Sequence, residues 1–284
     1  MPPRIITLRH AQGEHNVDNK FWIRDAKLTP TGLSECAEVA RTFPFHADVD
    51  LVVSSPLRRT IQTTVHSLFP ILRRQGSDGT RKKVPFILHP AAQEVSGRAC
   101  NLGSERAQLE SVMRGWFSGA GKDGDETENT ERIWNRCGLG EPGRVDFGLV
   151  GEGWCDKTGF SSPDPKAVEE RAASLRRWLY QRPEKLIVLV THGAFLHYFT
   201  QSWEGISAER GSAFKNCEWR EYNFSDDSSS EAARIVETDA SRKRRGVTAD
   251  GQQEGDGSGE TSREIEGGVA VREKGGVWRV RSSL

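Results

Sequence analysis

Apolar positions along this chain follow two rhythms. Short runs rich in β-branched and large apolar residues, "IITL" at 5–8, "DLVV" at 50–53, "VPFIL" at 84–88 and "LIVLV" at 186–190, are too brief for helices and read as buried strands. Between them the apolar residues recur at three- and four-residue steps. Leu33, Cys36, Val39, Ala40 and Phe43 form one such face, and Ile61, Val65, Leu68 and Phe69 a second. Leu109, Val112, Met113 and Trp116 form a third, and a fourth helix is predicted in "DPKAVEERAASLRRWLYQRP", closed by Pro183. Thr29 is a natural N-cap, with Pro30 at the first helical position. Strands separated by helical crossovers predict an α/β fold with a mostly parallel sheet.

This alternation covers residues 1–225, which are expected to form one domain. Residues 118–162 interrupt it with a stretch rich in glycine and acidic residues that also holds Trp134, Phe147, Trp154 and Phe160. An insertion of that length predicts a lid, partly packed through its aromatics, with Arg98, Asn101 and Ser104 at its mouth. Beyond "NFSDDSSS" the composition turns to Ser, Gly, Glu, Asp and Arg. Residues 226–284 therefore read as a low-complexity tail, largely disordered over 226–268, with a terminal hairpin from "VAVREKGGVWRV".

Charge narrows the partners. Lys+Arg and Asp+Glu are both 40, which points to neither nucleic acid nor a membrane surface. The longest clean apolar run, "LIVLV", cannot span a bilayer, and no signal peptide is evident. A cytoplasmic protein is expected. The basic run at 242–245 is a weak nuclear signal and reads better as solvated linker. The five scattered cysteines lack CxxC spacing and predict reduced thiols.

The candidate chemistry lies where the strands end. The first strand stops in Arg9-His10, and the second in Ser54-Ser55 with Arg58 in the next helical turn. The third leads to Gln93-Glu94, and the fourth to Thr191-His192-Gly193. Ligands of open α/β sheets bind outside the carboxyl ends of the strands. Two arginines suit a phosphate dianion, histidine can serve as nucleophile, and a glutamate raised by partial burial can protonate a leaving alkoxide. Helix N-termini after the second and fourth strands would add N–H donors. No HxH or HExxH spacing involves His10 or His15, so neither metal nor cofactor is expected. Arg59 reads as a surface residue. His15, His46, His66, His89 and His197 read as ordinary polar residues, and Trp116 and Trp178 as core.

"LRHAQGEHN" resembles the signature of the histidine phosphatase superfamily (phosphoglycerate mutase-like), with Asn16 six residues after the histidine. "LTPTG", "VVSSPLRRTIQT" and "VTHGAFLHYF" are similar to its other blocks, in the same order. Ala11 stands where glycine is usual, as in an RHAQG-type subgroup of plants and fungi. The resemblance implies a three-layer α/β/α sandwich and cofactor-independent phosphohistidine chemistry on a small phosphorylated substrate. By position, His10 would be the nucleophile, His192 the second histidine and Glu94 the proton donor. Arg9, Asn16, Arg58 and Gly193 would bind phosphate. A phosphomonoesterase is expected. A mutase-like phosphotransferase and a catalytically silent phosphate-binding module are the alternatives, and the oligomeric state stays open.

Overall fold

The computed structural model describes residues 1–74, 83–117, 128–206, 212–247, 270–272 and 278–280. In chain order the elements are β1 (Arg4–Arg9), α1 (Pro30–Thr42), β2 (Leu51–Ser54), α2 (Arg58–Leu72), β3 (Phe86–Leu88) and α3 (Arg106–Phe117). There follow α4 (Glu128–Arg136), β4 (Val145–Asp146), α5 (Pro165–Tyr180), β5 (Leu186–Thr191), α6 (Gly193–Thr200), β6 (Trp219–Phe224), β7 (Ile235–Glu237) and α7 (Asp239–Arg244). Thr29 caps α1 by accepting the Gly32 N–H at 3.0 Å, with Pro30 at the first turn.

Seven strands form one sheet in the order β4-β3-β2-β5-β1-β6-β7. The first five run parallel, β6 is antiparallel to β1, and β7 is antiparallel to β6. Side chains alternate across a strand, so each central strand feeds two cores. Ile6, Leu8, Val52, Val188 and Val190 pack with α1 to α4 on one face. Ile5, Leu51, Val53, Ile187 and Leu189 pack with α5 and α6 on the other. Helices on both faces of a mostly parallel sheet make the three-layer α/β/α architecture.

β5 lies between β1 and β2, although it follows them by more than a hundred residues. The chain reverses its direction of winding there, so a crevice opens at the carboxyl ends of β1, β5 and β2.

Two expectations change. The fold does not stop at residue 225. β7 extends the sheet along β6, Ile235 and Ala233 are buried, and the buried Ser241 on α7 accepts the Glu221 N–H at 3.1 Å. A polar composition concealed a strand because β7 places only one of its three residues, Ile235, in the interior. The described part of the insertion is also core rather than cover. Ile133, Trp134, Leu139, Val145, Val150 and Trp154 are buried in the cluster that holds α2 and α3, and Trp134 stacks on Phe117 at 4.7 Å. Residues 118–127 and 248–269 lie outside the described residues. β8 (Ala270–Arg272) and β9 (Trp278–Val280) pair antiparallel as a separate two-stranded sheet.

Candidate active site

Strand register brings the two histidines together. Arg9 pairs with Thr191 across β1 and β5, and the His10 N–H donates to Thr191 O at 2.9 Å. His10 and His192 therefore leave the sheet side by side, their rings 5.2 Å apart and inclined at 60°. Both are fully buried. His10 Nδ1 lies 2.7 Å from its neighbour's carbonyl, Ala11 O. A carbonyl only accepts, so in the neutral imidazole the ring proton sits on Nδ1 and the lone pair on Nε2. Ala11 does not have a positive φ, and its N–H donates to Thr63 Oγ1 at 3.0 Å, so the methyl group is accommodated.

His192 Nε2 is 2.9 Å from Ser55 Oγ, at the end of β2. Burial, reinforced by the positive charge of Arg59 and by His10 and Lys157, holds the His192 pKa well below the ordinary histidine value. The imidazole is neutral at physiological pH.

Arg9 is buried and donates to Phe214 O at 2.5 Å. It passes directly over the start of α6. A Cβ on Gly193 would stand 3.0 Å from Arg9 Nε and 2.9 Å from the Ser212 side chain, so glycine is what lets the guanidinium approach.

Arg59, expected at the surface, is fully buried beside the buried Arg58. Its terminal nitrogens donate to Cys100 O at 2.6 Å and Asn101 Oδ1 at 2.7 Å, while its Nε has no partner among the described residues. Arg58 instead carries its guanidinium over the Trp116 ring, 5.2 Å from the centroid. Helix geometry explains the difference. Arg58 shares a face with Ile61 and Val65, which enters the apolar core. Arg59 shares one with Gln62 and Thr63, which bond Leu28 N and Ala11 N beside the first loop. That polar stripe on an otherwise apolar helix was the available sequence signal.

Glu94 is buried at the mouth of α6. Its carboxylate accepts from Phe195 N at 3.0 Å, Ala194 N at 3.4 Å and Val95 N at 2.8 Å. The N-terminus of α2 is likewise occupied, because Arg58 N donates to Asp25 Oδ1 at 2.8 Å. Both helix starts, expected to offer N–H groups to phosphate, give these donors to carboxylates of the chain. Burial pushes the Asp25 pKa up to about 6, against the pull of that bond and of Arg59.

The loop bearing Glu94 is clamped from two sides. Arg171 on α5 donates to Ala91 O at 3.1 Å and Gln93 O at 2.5 Å. Gln93 Nε2 donates to Trp154 O and Ser161 Oγ, and Lys157 Nζ to Glu94 O at 2.8 Å. The last three residues come from the insertion or its flank, whose acids Glu141, Asp146, Glu152 and Asp156 are all exposed.

His15, read as an ordinary polar residue, is fully buried with its ring 5.5 Å from that of His10. Gly13 leaves it room, since a Cβ there would fall 2.8 Å from His15 Nδ1. Asn16 accepts the Gly13 N–H at 2.9 Å and donates to His15 Nε2 at 3.1 Å, so it buttresses this turn. Arg98 stacks on Phe21 at 4.1 Å, and Asn101 is held by Arg59. The grouping of potential metal donors among the described residues, Glu105, Cys155 and Asp156, includes none of these side chains. No helix among the described residues is long and apolar enough to cross a membrane.

A model of the histidine phosphatase superfamily (branch 1) matches residues 5–77 and 152–236. These segments hold His10, Arg9, Arg59, Lys157 and His192, while Glu94 lies between them. The chain is 27% identical over 235 residues to phosphoglycerate mutase-like protein 1 of Arabidopsis thaliana, covering 76% of this chain and 79% of that protein. It is 22% identical over 229 residues to a Schizosaccharomyces pombe protein described as a probable phosphatase, covering 78% and 89%. Among solved structures, phosphoserine phosphatase of Entamoeba histolytica in complex with 3-phosphoglyceric acid aligns over 83% of this chain and 95% of its own. Identity there is 18% and the TM-score 0.40.

Proposed function

The chain belongs to the histidine phosphatase superfamily, and we propose that it is a phosphatase that hydrolyses a small phosphomonoester through a phosphohistidine on His10. The observation that carries this reading is the bond from His10 Nδ1 to Ala11 O, because it leaves Nε2 as the nucleophilic nitrogen of the neutral ring, with the His192 ring 5.2 Å away.

In the first half-reaction Nε2 attacks phosphorus in line and the ester oxygen departs. Arg9, Arg59 and His192 bind the three equatorial oxygens and stabilise the charge spread over them. Glu94 donates its proton to the leaving oxygen. In the second half-reaction Glu94 takes a proton from water as the water attacks phosphohistidine, releasing inorganic phosphate and restoring both side chains.

The names carried by the plant and yeast relatives, one mutase-like and one phosphatase, agree with phosphoryl transfer. A mutase would use the same side chains with a substrate hydroxyl in place of water. The test is a panel of phosphorylated metabolites assayed for free phosphate, with His10→Ala as control. The reading expects release from at least one monoester and acid-labile labelling of the wild type. It expects neither from the variant. Labelling that survives in His10→Ala would move the nucleophile elsewhere, and isomerised product without free phosphate would favour the mutase.

A further inference from the structure

Lys157 lies in the insertion, in a left-handed backbone conformation (φ 57°), yet its side chain is buried. An ammonium carries three N–H donors. One reaches Glu94 O at 2.8 Å, and this is the single hydrogen bond Lys157 makes among the described residues. The ammonium therefore has donor capacity to spare at a buried position, an arrangement that is costly for a charged group.

The surroundings of Lys157 do not balance it either. Arg171 from α5 and Arg59 from α2 add like charge, and the charge of Lys157 is felt by His192 at the end of β5. Glu94 and the Cys100 thiol, both on the segment after β3, are on the favourable side. Arg59 contributes an unpartnered Nε to the same region. A group of buried cations with donors to spare, next to the proposed nucleophile's partner histidine, lacks a multiply charged oxyanion.

We propose that Lys157 is a ligand of the transferred phosphoryl group, so that the insertion completes the phosphate pocket. This inference rests on the phosphohistidine reading above. It assigns a role to a segment that the strand-end pattern leaves out, and it makes the substrate's dianion the missing counter-charge of Arg59, Arg171 and Lys157. It also has a titration consequence. Burial, with Arg171 as the next contribution, holds the Lys157 pKa well below the ordinary lysine value in the empty site. A dianion beside it favours the ammonium, so phosphate binding raises the Lys157 pKa and draws a proton onto the amine at a pH between its empty-site and occupied values.

Calorimetric titration of the full chain with inorganic phosphate at pH 8, in two buffers of different ionisation enthalpy, tests both parts. Lys157→Met is expected to weaken phosphate at least tenfold. Lys157→Arg is expected to keep affinity within about threefold of wild type while taking up about one proton fewer, because arginine stays charged. A Lys157→Met variant that binds phosphate within twofold of wild type would overturn the proposal. So would a folded Lys157→Arg that weakens phosphate by more than about threefold, an outcome that can be read even where the methionine variant does not fold. Wild-type protein that binds no phosphate would remove the phosphate-site reading itself. Loss of the Lys157 effect alone leaves that reading intact.

Discussion

Arg58 and Arg59 are consecutive in the chain, but their guanidinium groups end in different environments. Arg58 lies over the Trp116 ring at 5.2 Å, whereas Arg59 is locked onto Cys100 O and Asn101 Oδ1, close enough to His192 to disfavour its protonation. A substitution at each residue separates them. Arg59→Met should lower kcat/KM by ~10²–10³-fold, the usual loss when one donor to a developing charge is removed. Arg58→Met should cost less than about tenfold and act through packing on Trp116. Steady-state kinetics on one monoester decides, and equal losses would place both arginines at the phosphate.

Glu94 is testable by choice of leaving group. An alkyl phosphate needs a proton on its departing oxygen, while p-nitrophenolate leaves unaided near neutral pH. General acid catalysis contributes roughly 10²–10⁴-fold, so Glu94→Gln should impair glyceryl phosphate hydrolysis on that scale and largely spare p-nitrophenyl phosphate. The comparison is internal, because a destabilised protein loses both activities together. Equal losses would reduce Glu94 to holding the start of α6, where it accepts from Ala194 N and Phe195 N.

Buried histidines make the fold sensitive to acid. Burial lowers His66, His89 and His197 to about 4 from an unfolded value of 6.5, and holds His192 well below that ordinary value. Between these limits His66, His89 and His197 leave the unfolded chain about three protons ahead, and His192 acts in the same sense. Asp25 works in the opposite sense, since its folded value of about 6 exceeds the unfolded 3.8 and the native state holds that proton. The net excess of at least about two protons on the unfolded side makes stability fall as the pH is lowered, by roughly 3 kcal/mol per unit near pH 5. Urea unfolding at pH 7, 6 and 5 measures it. A midpoint that stays constant would mean these histidines titrate normally.

The edge of the sheet sets where the chain can be cut. Ending it after Ser225 removes β7, exposes the β6 edge, and takes away Ala233 O, which the buried Arg176 Nε uses at 2.9 Å. Loss of the buried Ile235 side chain alone is worth about 2 kcal/mol. With an unsatisfied guanidinium donor added, the melting temperature should drop by roughly 10 °C relative to a chain ending after Val247. Matched melting curves for the two truncations would show that β7 and α7 add nothing.

Local pattern determined much of this protein. β1, β2, β3 and β5 could be read from their apolar runs, and α1, α2, α3 and α5 from period and caps, because burial on a sheet face or helix stripe leaves its period in the sequence. The strand ends likewise carried His10, Arg9, Glu94 and His192, since a parallel sheet gathers the carboxyl ends of its strands whatever lies between. Only the tertiary structure decided the rest. Which way Arg58 and Arg59 turn depends on where α2 starts against β1, a shift of one residue that rotates a side chain by about 100°. His15 and Lys157 became buried through packing with no local period: one beside Gly13 in a tight turn, the other from an insertion whose aromatics joined the core. β7 escaped notice because an edge strand needs only one buried side chain, and a single isoleucine among polar residues carries no periodicity to read.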